Sequence, residues 1–139
     1  MMEINIMNIL VIDAQGGGIG KQLITAIKKN ISDSCITAVG TNTVATSAML
    51  KAGADKAATG ENADLVNSRV ADVIIGPIGI VIADAMLGEI TAKMANAVAQ
   101  SSAKRILIPV NHCDNIVVGV ADLNITKLIQ AVIIELEKY

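Results

Sequence analysis

Residues 8–23 are the stretch that most constrains how this chain can fold. An almost continuous apolar run ends at Ile12, and four glycines then fall within the five positions from Gly16 to Gly20. An apolar run of this kind is typical of a strand that helices cover on both faces. Apolar residues then recur at helical spacing from Leu23 to Ile31. The stretch therefore predicts a strand, a tight glycine turn and a helix whose first amides point toward any bound anion.

Segments typical of strands and helices alternate along the rest of the chain. Further strands are predicted at 35–40, 54–59, 72–76, 105–110 and 116–120, and helices near 41–53, 60–69, 80–87, 91–101 and 124–136. This alternation predicts an α/β fold, a Rossmann-like three-layer α/β/α sandwich with a mostly parallel sheet of about five to six strands. With 139 residues, the chain fits a single domain over residues 1–139.

In such folds, ligands bind beyond the carboxyl ends of the strands. That rule places five segments rich in Gly, Asn, Thr or Asp on one rim: 13–21, 40–43, 59–62, 76–79 and 111–114. We expect the glycine loop to contact a phosphate there, with the residues after the second strand near a sugar. The candidate cofactor-binding residues are Gly16, Gly17, Gly18, Ile19, Gly20, Lys21, Thr41, Asn42, Gly76 and Pro77.

The glycine loop does not meet the requirements of an ordinary phosphate loop. That loop needs a first glycine and a hydroxyl residue after its lysine, but Gln15 and Gln22 occupy these positions. Residues 17–21 resemble the deviant phosphate loop of the MinD and ParA ATPases, except that Gly16 replaces the signature lysine of that loop and Gln22 its threonine. Nucleotide hydrolysis is therefore disfavoured.

The dinucleotide fingerprint is also incomplete. It requires an acidic residue about 20 positions further on to hold the adenosine ribose, yet the second strand ends in Gly40, Thr41 and Asn42. Residues 18–20 resemble the end of the short-chain dehydrogenase glycine motif. The catalytic tyrosine of that family has no counterpart, because the one tyrosine is Tyr139. A dehydrogenase of that family is excluded in its usual form.

Several individual residues keep two interpretations. The loop could bind a phosphate near Lys21, or its glycines could only permit a tight turn and close helix packing. Asp13 could bind a metal or act as a general base, or it could brace the loop by accepting backbone amides. His112, beside Cys113, is the second acid–base candidate if the protein is an enzyme, and it could equally be structural. Asp84 and Glu89 flank an otherwise apolar predicted helix, so we expect at least one of them to be partly buried and to need a salt partner or a helix cap.

Composition argues against several classes of function. Aromatic residues make up 1% of the chain, so stacking on a base is almost excluded and an adenine pocket would be aliphatic. A net charge of -2 without a basic cluster argues against nucleic-acid binding. Two cysteines suggest neither a disulfide framework nor a zinc site, so no metal is expected. The absence of a signal peptide or membrane span predicts a cytoplasmic protein with no membrane partner.

Segments along nearly the whole chain resemble one known family. They lie at 11–22, 40–43, 45–50, 58–63, 76–91 and 106–111, and they include the glycine loop and the Gly76-Pro77-Ile78-Gly79 turn. The family is a group of short bacterial proteins called domain of unknown function 3842. The resemblance implies a cytoplasmic bacterial protein. It carries no assigned activity, so it assigns no catalytic residue.

Two functions from different classes follow. The first is binding of a nucleotide, a dinucleotide or another phosphorylated small molecule at the glycine loop. The alternative is a non-enzymatic oligomeric sensor or adaptor subunit in which this loop is only structural. Because 53% of the residues are hydrophobic and 17% are charged, we expect a homo-oligomer. The sequence leaves open whether the protein is an enzyme.

Overall fold

The computed structural model describes residues 6–110, 115–120 and 124–139. Strands and helices alternate through these residues in the predicted order, with two exceptions given below. The strands are β1 (Met7–Asp13), β2 (Ser34–Gly40), β3 (Lys56–Thr59), β4 (Val73–Pro77) and β5 (Lys104–Ile108). The helices are α1 (Gly18–Asn30), α2 (Thr43–Lys51), α3 (Glu61–Ser68), α4 (Ala92–Gln100) and α5 (Ile125–Leu136).

The five described strands form one parallel sheet in the order β3-β2-β1-β4-β5. This confirms the predicted Rossmann-like α/β architecture. The chain moves outward from β1 to β3 and then crosses to β4 on the other side of β1, so the strand order reverses between β1 and β4. Connections that diverge from such a reversal leave a crevice at the carboxyl ends of the strands. Asp13 pairs with Gly40, so the loops after β1 and β2 begin at the same level.

Helices cover both faces of the sheet and create two cores. In β1, Ile9 and Val11 face one core while Leu10 and Ile12 face the other. This explains the continuous apolar run, since both faces of the strand are buried. The first core is completed by α1, α2 and α5, and the second by α3, α4 and the residues between β4 and α4. Central residues are Leu23, Ile27, Met49 and Val132 in the first core and Ile80, Ile90, Met94 and Val98 in the second.

Three helices begin at side-chain caps that the sequence indicates. Asn42 accepts a hydrogen bond from the amide of the third residue after it at 2.9 Å, and Asn124 does the same at 2.9 Å. The hydroxyl of Thr91 accepts the corresponding bond at 3.2 Å. Each cap satisfies one of the amides that a helix start leaves unpaired. Gly17, at the start of α1, has no side chain for this purpose.

The helix predicted over 80–87 is wrong. A 3₁₀ turn at Ile78–Val81 is followed by a series of turns over residues 82–90, here called the 82–90 loop. Asp84, Met86 and Leu87 have φ of 64°, 56° and 58°, in the left-handed region that non-glycine residues seldom adopt. Burial of residues 85, 86 and 90 in the second core overrides the helix propensity of the local sequence.

The strand predicted over 116–120 is also wrong. Residues 115–120 form no strand and contain a turn at 118–119. Ile116 is 89% exposed and Val118 is 91% exposed, so this apolar run does not enter the core. Gly119 has φ of 87°, which favours a turn over an extended strand. The described sheet therefore ends at β5, which agrees with the expected edge or strand-end position of Pro109.

The described helices are short relative to a bilayer. The longest is α1, with 13 residues, or about 20 Å at the usual rise per residue. In the part of the chain that the structure describes, we find no helix with the length and apolar character needed to cross a membrane.

Candidate functional site

The turn between β1 and α1 lies beside the reversal of strand order. The amide of Gly17 donates to the carbonyl of Ala14 at 3.0 Å, which closes the turn. Gln15 and Gly17 both have positive φ, 53° and 74°. The first helical residue is Gly18. The structure therefore contains the predicted sequence of strand, glycine turn and helix.

The four glycines of this turn form two pairs with different surroundings. Gly17 and Gly20 are buried, whereas Gly16 and Gly18 are exposed. A Cβ on Gly17 would lie 2.8 Å from the Cα of Ala45 in α2. A Cβ on Gly20 would lie 2.5 Å from the sulfur of Met49. Among the residues that the structure describes, none has an atom within 4 Å of a Cβ added to Gly16 or Gly18. Packing therefore requires a glycine at positions 17 and 20 but not at positions 16 and 18.

Asp13 stabilises the turn through both oxygens of its carboxylate. Its Oδ1 accepts from the amide of Ala14 at 2.8 Å, and its Oδ2 accepts from the amide of Gly20 at 2.7 Å. The side chain takes the place of an N-cap, because Gly20 lies in the first turn of α1. Burial raises the pKa of Asp13, while the amides of Gly20, Ala14 and Ile19 oppose that rise and the charge of Glu89 adds to it. Of the interpretations left open for Asp13, the bracing role is the one visible in its contacts.

A cavity of about 380 Å³ opens beside the turn, on the β4 side of β1. One wall is the glycine turn, where Gly16 and Gly18 present bare backbone. The apolar wall comes from the end of β4, the 82–90 loop, the segment just after β5 and the start of α5. The residues of the apolar wall are Pro77, Met86, Val110 and Ile125. The cavity is thus formed by segments that the sequence places far apart, at the carboxyl end of the sheet.

Glu89 brings a second carboxylate to this end of the sheet. Its Oε1 accepts three hydrogen bonds: from the hydroxyl of Thr41 at 2.6 Å, from the side-chain amide of Asn42 at 2.8 Å and from the backbone amide of Gln15 at 3.0 Å. These donors, the Thr41 hydroxyl above all, lower the pKa of Glu89. The partners are therefore neutral groups, instead of the salt partner or helix cap that the sequence suggested. No spacing in the sequence links position 89 to the end of β2.

The chain matches a family model over residues 8–139, nearly its whole length. Its description is domain of unknown function (DUF3842). The chain belongs to this family. Among solved structures, the DUF3842 chain is similar to the dodecameric FMN-dependent Ubix-like decarboxylase from Escherichia coli O157:H7. The identity is 16% and the TM-score is 0.46, and the alignment covers 95% of this chain and 75% of that one. No curated protein matches the sequence significantly.

The structure brings only some of the predicted binding residues of this DUF3842 chain to the cavity. Gly16, Gly17, Gly18, Ile19 and Pro77 line it. The side chains of Thr41 and Asn42 bond to Glu89 and to the carbonyl of Gln15, on the β2 side of the turn. Gly76 lies inside the sheet, where an added Cβ would be 2.5 Å from the carbonyl oxygen of Ile12. Gly20 is buried against α2, as described above.

Lys21 lies on a different surface from the cavity. It lines a groove of about 910 Å³ between α1 and α2, together with Lys51 and the hydroxyl residues Thr25, Thr43 and Ser47. The cavity wall therefore presents backbone amides without the lysine that the sequence placed beside them. Any anion in the cavity would be held by amide dipoles and the helix start, since this lysine faces elsewhere.

His112 and Cys113 lie outside the described residues, so the acid–base interpretation of His112 stays a prediction. Val110, the last described residue before them, lines the cavity. Over the described residues, no group of three or more His, Cys, Asp or Glu side chains could hold a metal ion.

Proposed function

We propose that this DUF3842 domain binds a phosphorylated small molecule, with nucleotides and dinucleotides as the leading class, in the cavity beside the glycine turn. The phosphate would contact the amides of Gly16 and Gly18. The remainder of the ligand would lie against the apolar wall that contains Pro77, Met86 and Val110. Because this wall has no aromatic residue, it would hold a base or an organic group by aliphatic contact alone.

The two exposed glycines are the observation that carries this proposal. Packing accounts for Gly17 and Gly20, but no atom of residues 6–110, 115–120 and 124–139 lies close enough to require a glycine at Gly16 or Gly18. The backbone at these two positions is also outside the left-handed region. Their amides have no hydrogen-bond acceptor among the described residues. A glycine that neither packing nor conformation requires is accounted for by a ligand that approaches the bare backbone.

Asp13 supports this site by positioning the turn. Its two hydrogen bonds hold Ala14 and Gly20 on either side of the exposed glycines. With these bonds formed, the turn is preorganised, so a ligand does not have to order it on binding. His112 remains our acid–base candidate if the bound molecule is also a substrate. Asp13, whose oxygens each accept an amide, has the weaker claim to that role.

The first experiment is a thermal-shift panel of nucleotides, dinucleotides and sugar phosphates. A ligand present at 100 times its Kd stabilises the folded state by about 2.7 kcal/mol. For a domain of this length, the melting temperature should rise by roughly 8 °C. A panel without any shift up to millimolar concentrations would contradict the proposal.

The second experiment separates the turn from the rest of the surface. Gly18→Leu places a bulky side chain on the cavity wall, at a position where the described residues leave open space. Ala92→Leu is the matched control, because Ala92 is also a small exposed residue in the first turn of a helix, α4, and lies outside the five rim segments. We expect Gly18→Leu to abolish the thermal shift while Ala92→Leu retains it. Binding that survives in a folded Gly18→Leu variant would exclude the phosphate contact.

A second candidate function is a non-enzymatic homo-oligomeric sensor or adaptor. It is favoured by Gly17 and Gly20, whose absent side chains follow from packing without a ligand, and by large apolar side chains on the surface. Leu87 is 96% exposed and Ile116 is 89% exposed, and burying such side chains against a second chain would stabilise an oligomer. A ligand panel without response, together with a stable oligomer in light scattering, would favour this candidate over the first.

A further inference from the structure

The two oxygens of the Glu89 carboxylate have unequal surroundings. Oε1 accepts all three of the hydrogen bonds from Gln15, Thr41 and Asn42. Oε2 accepts none from the described residues, and it is not among the buried atoms that lack a partner. Glu89 is only partly buried. One oxygen is therefore fixed by the protein, while the other is open to solvent and free to accept a donor.

No described cation neutralises this carboxylate. The ion pairs within residues 6–110, 115–120 and 124–139 join Lys28 to Asp55 and Lys138 to Glu135. The hydrogen bonds to Oε1 keep the pKa of Glu89 low, so the group is charged near neutral pH. A charged and oriented oxygen without a cation is a strong acceptor for a hydroxyl group and a poor neighbour for a second anion.

Glu89 lies next to the glycine turn that forms part of the cavity wall. The backbone amide that it binds belongs to Gln15, and the next amide along the chain is that of Gly16. The carboxylate also lies at the end of β2, where dinucleotide-binding sheets place the acidic residue that holds a ribose. The sequence lacks an acid there, and the 82–90 loop supplies one from the other side of β1. The same loop places Met86 in the cavity wall, and three of its non-glycine residues have positive φ. Such strain is common at ligand sites.

We infer that Glu89 forms a sugar subsite next to the proposed phosphate site, with Oε2 accepting a hydrogen bond from a ribose hydroxyl of the bound molecule. This inference rests on the proposed function. It adds that the ligand carries a free hydroxyl beside its phosphate and that Glu89 selects for that hydroxyl. A ligand with a second phosphate in that place is repelled by the carboxylate.

The test measures the affinity of adenosine 5′-diphosphate and of its 2′,3′-dideoxy analogue by calorimetry, for the wild type and for Glu89→Gln. The glutamine carbonyl retains an acceptor for Gln15, Thr41 and Asn42, while its NH₂ group replaces the free oxygen. We expect the wild type to bind the ribose form about tenfold more tightly than the dideoxy form, as for a hydrogen bond to a charged group. In Glu89→Gln this ratio should fall several-fold, because the NH₂ group can only donate a neutral hydrogen bond to the hydroxyl oxygen, with little change for the dideoxy form.

The other outcomes of this test distinguish failure of the sugar subsite from failure of the proposed function. If Glu89→Gln keeps the tenfold preference, or if the wild type has none, the sugar subsite is wrong while the phosphate site stands. If Gly18→Leu loses both ligands and Glu89→Gln reduces only the preference, both the proposed function and this inference are supported. If neither ligand binds the wild type, nucleotide binding is wrong and the subsite is overturned with it.

Discussion

The hydroxyl of Thr41 donates a 2.6 Å hydrogen bond to Oε1 of Glu89, a residue 48 positions away in the sequence. This bond joins the end of β2 to the 82–90 loop. The backbone amide of Gln15 donates to the same oxygen at 3.0 Å, so the glycine turn is held by the same group. One carboxylate thus connects three loops at the carboxyl end of the sheet, and its removal should affect stability even without a ligand.

We expect Glu89→Ala to lower the free energy of unfolding by about 2 kcal/mol, because three donors lose a charged acceptor in a partly exposed site. Glu89→Gln, which keeps an acceptor at the same place, should lie within about 0.5 kcal/mol of the wild type. Urea unfolding followed by far-UV circular dichroism measures both, since the chain has no tryptophan. Equal losses in the two variants would show that the three hydrogen bonds do not hold the loops.

The low pKa of Glu89 gives this contribution a pH dependence. A carboxyl group whose pKa is lower in the folded state stabilises the fold above its ordinary value of 4.5. The contribution is lost as the pH falls through the folded pKa. In urea titrations, the difference in the free energy of unfolding between the wild type and Glu89→Ala should therefore shrink as the pH falls below 4.5.

The glycine turn offers a comparison between neighbouring residues. Gly17→Ala should cost about 3 kcal/mol, because φ is 74° and the added Cβ would lie 2.8 Å from the Cα of Ala45. Gly16→Ala, whose Cβ would meet none of the residues that the structure describes, should change the free energy of unfolding by less than about 0.5 kcal/mol. The same urea titration compares the two variants. A large loss in Gly16→Ala would mean that the exposed glycine has a structural role and would remove the main support for the phosphate site.

Local signals in the sequence predict much of this fold and little of the site. The apolar run before Asp13, the cap at Asn42 and the cap at Thr91 each act within a few residues, so they can be recognised from the sequence alone. The 82–90 loop cannot, because the second core overrides its helix propensity. The difference between the exposed Gly16 and the buried Gly17 depends on the position of α2, which packs against Gly17. The hydrogen bond from Thr41 to Glu89 joins loops that follow different strands. The spacing of these two residues in the sequence does not indicate that they meet.

Leu87 provides a test of the expected oligomer. It is 96% exposed with φ of 58°. The left-handed backbone conformation therefore destabilises the chain, and no burial of the side chain offsets this cost. Asparagine adopts this conformation more readily, and Leu87→Asn should therefore stabilise the isolated chain by about 1 kcal/mol. We expect the same variant to lower the average mass in light scattering, because an exposed apolar contact is lost. A variant that is more stable but has unchanged mass would place the interface elsewhere.

Asp64 should make the stability of the protein depend on pH in the opposite sense to Glu89. Its side chain is fully buried in α3, its Oδ1 accepts a 3.5 Å hydrogen bond from Ser68, and its Oδ2 has no partner among the described residues. Burial raises the pKa of Asp64 to about 7, with the bond from Ser68 opposing the rise and the charge of Glu61 adding to it. A carboxyl group that holds its proton more tightly when folded favours the folded state at low pH. That advantage declines as the pH rises from about 4 to about 7.

Asp64→Asn removes this titration, so its effect should grow with pH. We expect little change at pH 4 and a gain of up to about 4 kcal/mol at pH 8, where the wild type must bury a charged carboxylate. Asp55→Asn is the control of opposite sign, because Asp55 has a lowered pKa through its bond to Lys28 at 2.6 Å. It should destabilise the protein at pH 8 and have little effect at pH 3. A constant difference between Asp64→Asn and the wild type from pH 4 to pH 8 would mean that Asp64 does not titrate in this range, and the unpaired Oδ2 would then need another explanation.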